Sequence, residues 1–276
     1  MHDRQVRAFG KAGQQALQRL RVAVVGLGGT GSFVTQELAH LGVSDFLLID
    51  PDSVESSNLN RLVGSTQMDV GAPKVDVAAR LIRSIVPTSQ VEAIVGDVIK
   101  ARTAQELTNV DMIFGCTDSH GSRAVLQQVG YQYLIPIIDM GVTIAVVDSR
   151  ITHVYGRVQL LSPGLPCFHC SHLLDSEQVR RDMMTAFERQ SDPYIPGAAE
   201  PAPAVISLNG TVASLAITML LSTVAGVPGS ARHILYNAMK PALRSIGGSP
   251  EPTCYICSRT GALAKGDEWP LQARRD

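Results

Sequence analysis

RVAVVGLGGTG (residues 21–31) is a β-branched run that ends in glycines, and SFVTQELAHLG after it repeats its apolar positions, Phe33, Val34, Leu38 and Leu41, at helical spacing. The pattern predicts strand, tight turn and helix. DFLLID (45–50) reads as a second strand buried on both faces, completing a βαβ unit of about 30 residues. The series goes on with a helix over Val75 to Ile85 ahead of Pro87, a strand at QVEAIVG, and a helix near Thr103 to Leu107. The strand DMIFGCT (111–117), a helix over Arg123 to Tyr133 and a strand at PIIDMGV follow. Alternation of this kind predicts an α/β fold: a Rossmann-like, mostly parallel sheet with helices on both faces.

After Gly141 the texture changes. TIAVVDSRITHVYGRVQLLSP reads as two short strands that pair as an antiparallel appendix to the sheet. Residues 171–204 are polar, proline-containing and without periodicity, and are expected to form a mobile loop crossing the surface. Pro201 to Ala231 carries no charge, and its VASLAITMLL centre raises the question of a membrane span. Ser207, Asn209, Thr211, Ser214 and Thr218 favour instead a buried helix over 205–225 packed on the sheet. The expected organisation is one domain over 1–276: an N-terminal arm (1–20), a half of alternating strands and helices (21–141), a second half (142–258) with the antiparallel strands, the loop 171–204 and paired cysteines, and a tail (259–276).

At 276 residues with 45% hydrophobic and 18% charged positions, the chain has ample material for a core, which excludes a disordered tail or a disulfide-stapled miniprotein. Twenty-four Lys+Arg against 25 Asp+Glu give a formal charge of −1, so the basic field of a dedicated nucleic-acid binder is missing. The first residues, MHDRQVRAFGKAGQQ, put charges where a signal peptide needs an apolar run, and a cytoplasmic location is expected.

Gly26, Gly28 and Gly31 have the G-x-G-x-x-G spacing between a strand and a helix, so backbone N–H groups at the helix start can face an anion. Asp50 closes the second strand, where a carboxylate can accept hydrogen bonds from a ribose; its competing role is as a turn or cap residue. Just beyond lie Asn58 and Arg61 in DPDSVESSNLNRLV, and Lys74 at the next helix entry. Cationic groups converging on the carboxyl edge of a sheet suit a triphosphate better than a dinucleotide. Asp118, just past a strand end, is placed either to hold Mg²⁺ or to cap the following helix.

Four of the five cysteines form two C-x-x-C pairs, Cys167/Cys170 in CFHC and Cys254/Cys257 in CYIC. Two such pairs supply a tetrahedral four-sulfur shell for zinc. With every position filled by sulfur the metal is structural, stapling the tail to the hairpin region; disulfides, or a ligand swap to the flanking His169 or His172, are the competing readings. Cys116, at the end of an apolar strand, is expected to be a buried small hydrophobe rather than a nucleophile.

DRQVRAFG, GLGGTG followed by LLIDPD, SSNLNR, GAPK, CTDSHGSR and the two CxxC pairs, in this order, closely resemble the ThiF/MoeB/HesA family, the adenylation domain shared with ubiquitin-activating enzymes. The resemblance covers roughly residues 3–258. It implies ATP and Mg²⁺ as cofactors beside the structural Zn²⁺, and adenylation of the C-terminal glycine of a ubiquitin-like or sulfur-carrier protein with release of pyrophosphate. Carried over residue by residue, it implies Gly26, Gly28 and Gly29 under the phosphates, Asp50 on the ribose, and Asn58, Arg61 and Lys74 on the triphosphate. Asp118 would orient Mg²⁺, and Arg4 would reach the γ-phosphate from the other protomer of a homodimer. Residues 171–253 hold no cysteine, so the chain is expected to lack its own thioester-forming thiol. The crossover loop would clamp the partner's tail and the exposed hairpin face its globular body. Weighed against this reading are a tRNA or small-molecule carboxylate as substrate, a peptide-adenylating synthase, a non-catalytic partner subunit, and an NAD-linked dehydrogenase resting on the glycine turn alone.

Overall fold

The protein is described by a computed structural model that covers residues 2–191 and 202–275. Five strands, β1 (Arg21–Val25), β2 (Asp45–Asp50), β3 (Gln90–Val95), β4 (Met112–Gly115) and β5 (Ile137–Val147), and three more, β6 (Arg150–Leu161), β7 (His233–Asn237) and β8 (Ala242–Ser245), form one sheet in the order β3-β2-β1-β4-β5-β6-β7-β8. The pairs from β3 to β5 are parallel and those from β5 to β8 antiparallel. The mostly parallel, Rossmann-like expectation is met in the first half of the chain. Strand order reverses between β1 and β4, the place where an open α/β sheet leaves a crevice at its carboxyl edge.

Helices α1 (Asp3–Arg19), α2 (Gly29–Leu41), α3 (Lys74–Ile85), α4 (Ala101–Glu106), α5 (His120–Gln132), α6 (Ser176–Met183), α7 (Ala186–Ser191) and α8 (Ile206–Val224) cover the sheet. Alternating side chains of the buried strands point to opposite faces and feed two cores. On one face Val22, Val24, Phe46 and Leu48 pack with α2, α3 and α8; on the other Ala23, Val25, Leu47 and Ile49 pack with α5 and the cysteine loops. By length and composition α8 could cross a membrane, yet Val212, Ala213, Ala216, Ile217 and Leu220 are buried in the first core. Gly156 on β6 has no room for a side chain, because Val212 of α8 occupies it. The apolar positions of this helix serve burial against the sheet, while Ser207, Thr211, Ser214 and Thr218 lie on its exposed side.

Several elements differ from the expectation. The strand at PIIDMGV does not stop there: β5 runs on to Val147 and returns as β6, so the appendix is one long hairpin with a bulge at Ala145/Val146. Its outer half is exposed and carries no strict alternation, which hides the continuity from a periodicity argument. Two strands beyond α8, β7 and β8, extend the sheet where the reading found only a cysteine tail. Residues 171–204 are not structureless over the described part, since α6 and α7 lie within it. The Asp175 carboxylate caps α6 by accepting from the N–H groups of Glu177 and Gln178. The rest of that crossover segment, 192–201, lies outside the described residues. The N-terminal arm is helical, with a break at Phe9 and Gly10.

Candidate nucleotide site and cysteine cluster

At the carboxyl ends of β1, β2 and β4 a cavity of about 490 Å³ opens over the glycine turn. Gly26 has φ +88, and any side chain at Gly31 would run into the Gly26 carbonyl, so this turn is built for glycine at both ends. The result brings the first turn of α2 against the cavity with no side chain capping it at Gly28. Its orphan N–H groups and the positive end of the helix dipole are available to an anion.

Asp50 lies on the cavity wall, buried, and its two oxygens are already engaged. Oδ2 accepts from the Leu27 N–H at 2.6 Å and Oδ1 from the Asp52 N–H at 2.8 Å. The turn-organising role weighed against ribose binding is therefore present, and a carboxylate retains further lone-pair positions toward the cavity. Burial raises its pKa above the usual carboxylate value, while the Leu27 N–H and the Lys74 charge pull it down. Lys74 also lines the cavity and donates from Nζ to Asp52 Oδ2 at 2.7 Å. Arg61 reaches the same wall, held by Nη1 to the Ser57 carbonyl at 2.7 Å.

Asp118 is exposed at the cavity mouth and makes no hydrogen bond or ion pair among the described residues. Ser119 caps α5, its Oγ accepting from the Ser122 N–H at 3.0 Å. Of the two roles open to Asp118, the helix cap is thus taken by its neighbour.

Two of the expected residues stand apart from the cavity. Asn58 is buried in a short 3₁₀ turn, where its Oδ1 accepts from the Glu55 N–H and its amide donates to Ser57 Oγ. It shapes the turn that carries Arg61. Arg4 is exposed on the first turn of α1, and the neighbouring His2 packs on Gly42 at the far end of α2. Thirteen residues of helix separate that end from Gly29, about 20 Å at 1.5 Å per residue, so Arg4 does not reach its own cavity.

The structure adds residues that pattern reading missed. Asn209 of α8 is buried against Gly29 and leaves no space for a side chain there. Its only mark in the sequence is a polar residue in an apolar helix. Ala202, Pro203 and Ala204, just before α8, close one side of the cavity, as does Arg123 from α5. Behind Arg123 stands Asp139 of β5, fully buried and ion-paired with Arg123 and Arg157. An aspartate inside an apolar strand was the available signal.

The four paired cysteines come together with sulfurs 3.5–3.7 Å apart for three pairs and all within 4.8 Å. Tetrahedral zinc with bonds of about 2.3 Å requires sulfur separations of about 3.8 Å, so the set fits a four-thiolate zinc site. Disulfides, at about 2.05 Å, do not. Burial pushes Cys167 well up and Cys257 up to about 12, so in a group this dense the thiolates need a cation. The cluster joins the loop after β6 to the tail, as the spacing predicts. Cys116 lies at the cavity floor, where burial first, and then the Asp139 charge, hold its thiol protonated. A second cavity, of about 430 Å³, lies beside the cluster against β6 and β8.

An uncapped helix start, two cations and a free carboxylate meet at the switch point of a mostly parallel, Rossmann-like sheet whose tail is tied back by a four-cysteine cluster, an arrangement able to receive an anionic ligand. The model of the ThiF family matches residues 2–256, and the chain belongs to that family. It is 30% identical over 260 residues to the molybdopterin-synthase adenylyltransferase of Escherichia coli, covering 94% of this chain and 96% of that protein. It is 29% identical to the SAMP-activating enzyme E1 of Haloferax volcanii, covering 91% and 85%, and 26% identical to the sulfur carrier protein ThiS adenylyltransferase of Escherichia coli, covering 91% and 90%. Among solved structures, E. coli MccB with ATP superposes with a TM-score of 0.70 at 20% identity, over 92% of this chain and 72% of that one, a likeness of fold.

Proposed function

We propose that the protein binds ATP with Mg²⁺ and adenylates the C-terminal carboxylate of a small carrier protein of the sulfur-carrier or ubiquitin-like kind, releasing pyrophosphate. The observation that carries this reading is the convergence, in one cavity, of the bare α2 start, Arg61, Lys74 and an unengaged Asp118. The named relatives activate carriers of this kind, or are called adenylyltransferases, over nearly their whole length.

The chemistry suits these residue types. A terminal carboxylate, with a pKa of about 3.3–3.7, is ionised near neutral pH and needs no general base. Its oxygen forms a bond to the α-phosphorus while the bond from that phosphorus to the bridging oxygen of pyrophosphate breaks. What the site must supply is alignment and charge stabilisation. The N–H groups of α2 hold phosphate oxygens, Arg61 and Lys74 offset the charge growing on pyrophosphate, and Asp50 fixes the turn beneath. Mg²⁺ when bound neutralises phosphate charge, and Asp118 is the carboxylate placed to hold it. Four cysteines hold zinc and Cys116 is locked as a thiol, so the acyl-adenylate passes to an acceptor on another protein.

Arg4 cannot reach its own cavity, which supports a homodimer in which it completes the partner's site. The outer end of the β5–β6 hairpin exposes Val146 with its cross-strand partner Ile151 on one face and Val147 and Tyr155 on the other, apolar surface suited to the carrier's globular body. Cytoplasmic location remains part of this reading.

The test is ATP–pyrophosphate exchange with purified protein, Mg²⁺ and candidate carriers ending in glycine, against a carrier truncated by that glycine. Exchange only with the intact tail is expected. ATP binding without exchange for any carrier would overturn the reading in favour of a small-molecule carboxylate or a non-catalytic partner role.

A further inference from the structure

Asp139 is fully buried, and two guanidinium groups meet on it. Arg157 pairs with Oδ1 from β6, and Arg123 approaches Oδ2 with Nε at 3.4 Å. Arg157 is also fixed on its other side, lying over the Phe168 ring 5.3 Å from its centroid. One carboxylate is neutralised by one such partner, so Asp139 by itself does not balance both arginines, and the next carboxylate along the cavity wall is the unpaired Asp118. Arg123 pairs with no carboxylate but Asp139 among the described residues. Leaving a cation in a mostly buried place without a full counter-charge is costly unless water or a ligand meets it.

Arg123 is the member that faces the nucleotide cavity; its side chain is 15% exposed. Nη2 donates to the Thr117 carbonyl at 2.6 Å, immediately before Asp118, while Nη1 has no hydrogen-bond partner among the described residues. The guanidinium is thus held from behind by Asp139, from the side by Thr117, and open at one edge toward the cavity. A Cβ on Gly141 would come within 3.2 Å of Nη2, close enough to press on the guanidinium. Arg123 belongs to the β4–β5 end of the cavity, away from Asp50 and Lys74 on the β2 side, and Gly141 leads out along β5 to the exposed hairpin.

We infer that Arg123, clamped by Asp139, is the residue that receives the terminal carboxylate of the acyl substrate and sets its approach to the nucleotide. Asp139 is a positioning residue that acts through Arg123. The inference rests on the adenylation reading and names the substrate end of that site. A planar guanidinium with a free N–H edge matches a carboxylate and discriminates against an amide, which lacks the charge.

The probe is a synthetic peptide ending in Gly-Gly, prepared as free acid and as C-terminal amide, titrated by calorimetry against protein saturated with a non-hydrolysable ATP analogue. Wild-type protein is expected to bind the acid at least about tenfold tighter than the amide. Arg123→Met should bring the two within about twofold. Gly141→Ala, which keeps both arginines but crowds the guanidinium, should lower the discrimination as well and guards against a folding defect in the first variant. Equal binding of acid and amide to wild type, no binding of either, or full discrimination retained in Arg123→Met overturns the inference. These outcomes are separable from the parent reading, because carrier-dependent pyrophosphate exchange by the wild-type protein is measured without the peptide; its failure removes both.

Discussion

At the scale of single residues, the site separates groups that build it from groups left free to act. Asp50 and Asn58 spend their polar atoms on turns, whereas Asp118 spends none. Asp118→Ala should therefore leave stability within about 0.5 kcal/mol of wild type, as for a surface position without partners, and lower exchange by about a hundredfold or more. Thermal melting and exchange on one preparation check both; retained exchange would sink the role assigned to Asp118. Asp50→Ala differs in kind, because it orphans the buried Leu27 N–H and frees the half-buried Asp52 N–H. The sequence placed Asp50 and Asp118 at strand ends correctly. It could not tell which of them was already hydrogen-bonded, since that depends on the path of the backbone after the strand.

Among the elements, the loop after β6 and the tail are held together by the four-cysteine cluster and the core beneath α5. Chelating zinc should lower the melting temperature by several degrees, since Cys167, Cys254 and Ile256 belong to the core beneath α5. Titration with a fluorescent ATP analogue should show binding retained, because the four clustered cysteines do not line that cavity. β7 contributes a second sensitivity. His233 is pushed down to about 4, first by burial and then by the Arg157 charge, and its Nε2 is buried without a partner. The unfolded chain, with an ordinary histidine pKa of about 6.5, takes up a proton that the folded form refuses. Stability supplied by the neutral ring is complete above pH 6.5 and is lost as pH falls toward 4. Urea melts across that window should show a shallower decline for His233→Gln than for wild type, and parallel curves would count against this assignment.

For the whole molecule, the consequence is quaternary. Arg4 and the cavity lie at opposite ends of α2, so an active role for Arg4 requires a second protomer. Arg4→Ala and Asp118→Ala should each be inactive alone, yet mixing them after subunit exchange should restore about a quarter of wild-type exchange, one competent site in each heterodimer. No recovery in a verified heterodimer would place Arg4 outside the site.

The glycine turn, the strand–helix alternation of the first 141 residues, the helix over 205–225 and both cysteine pairs were determined by the sequence, because each is a local signal of spacing or periodicity. Family membership was legible for the same reason, in short motifs kept in order. The tertiary structure decided what depends on distant segments meeting. It joined Gly29 to Asn209, set Arg123 against Asp139 and Arg157, turned the appendix into a long hairpin and added β7 and β8. Sheet order and side-chain partners are set by the burial of whole faces, and no window of neighbouring residues contains that information.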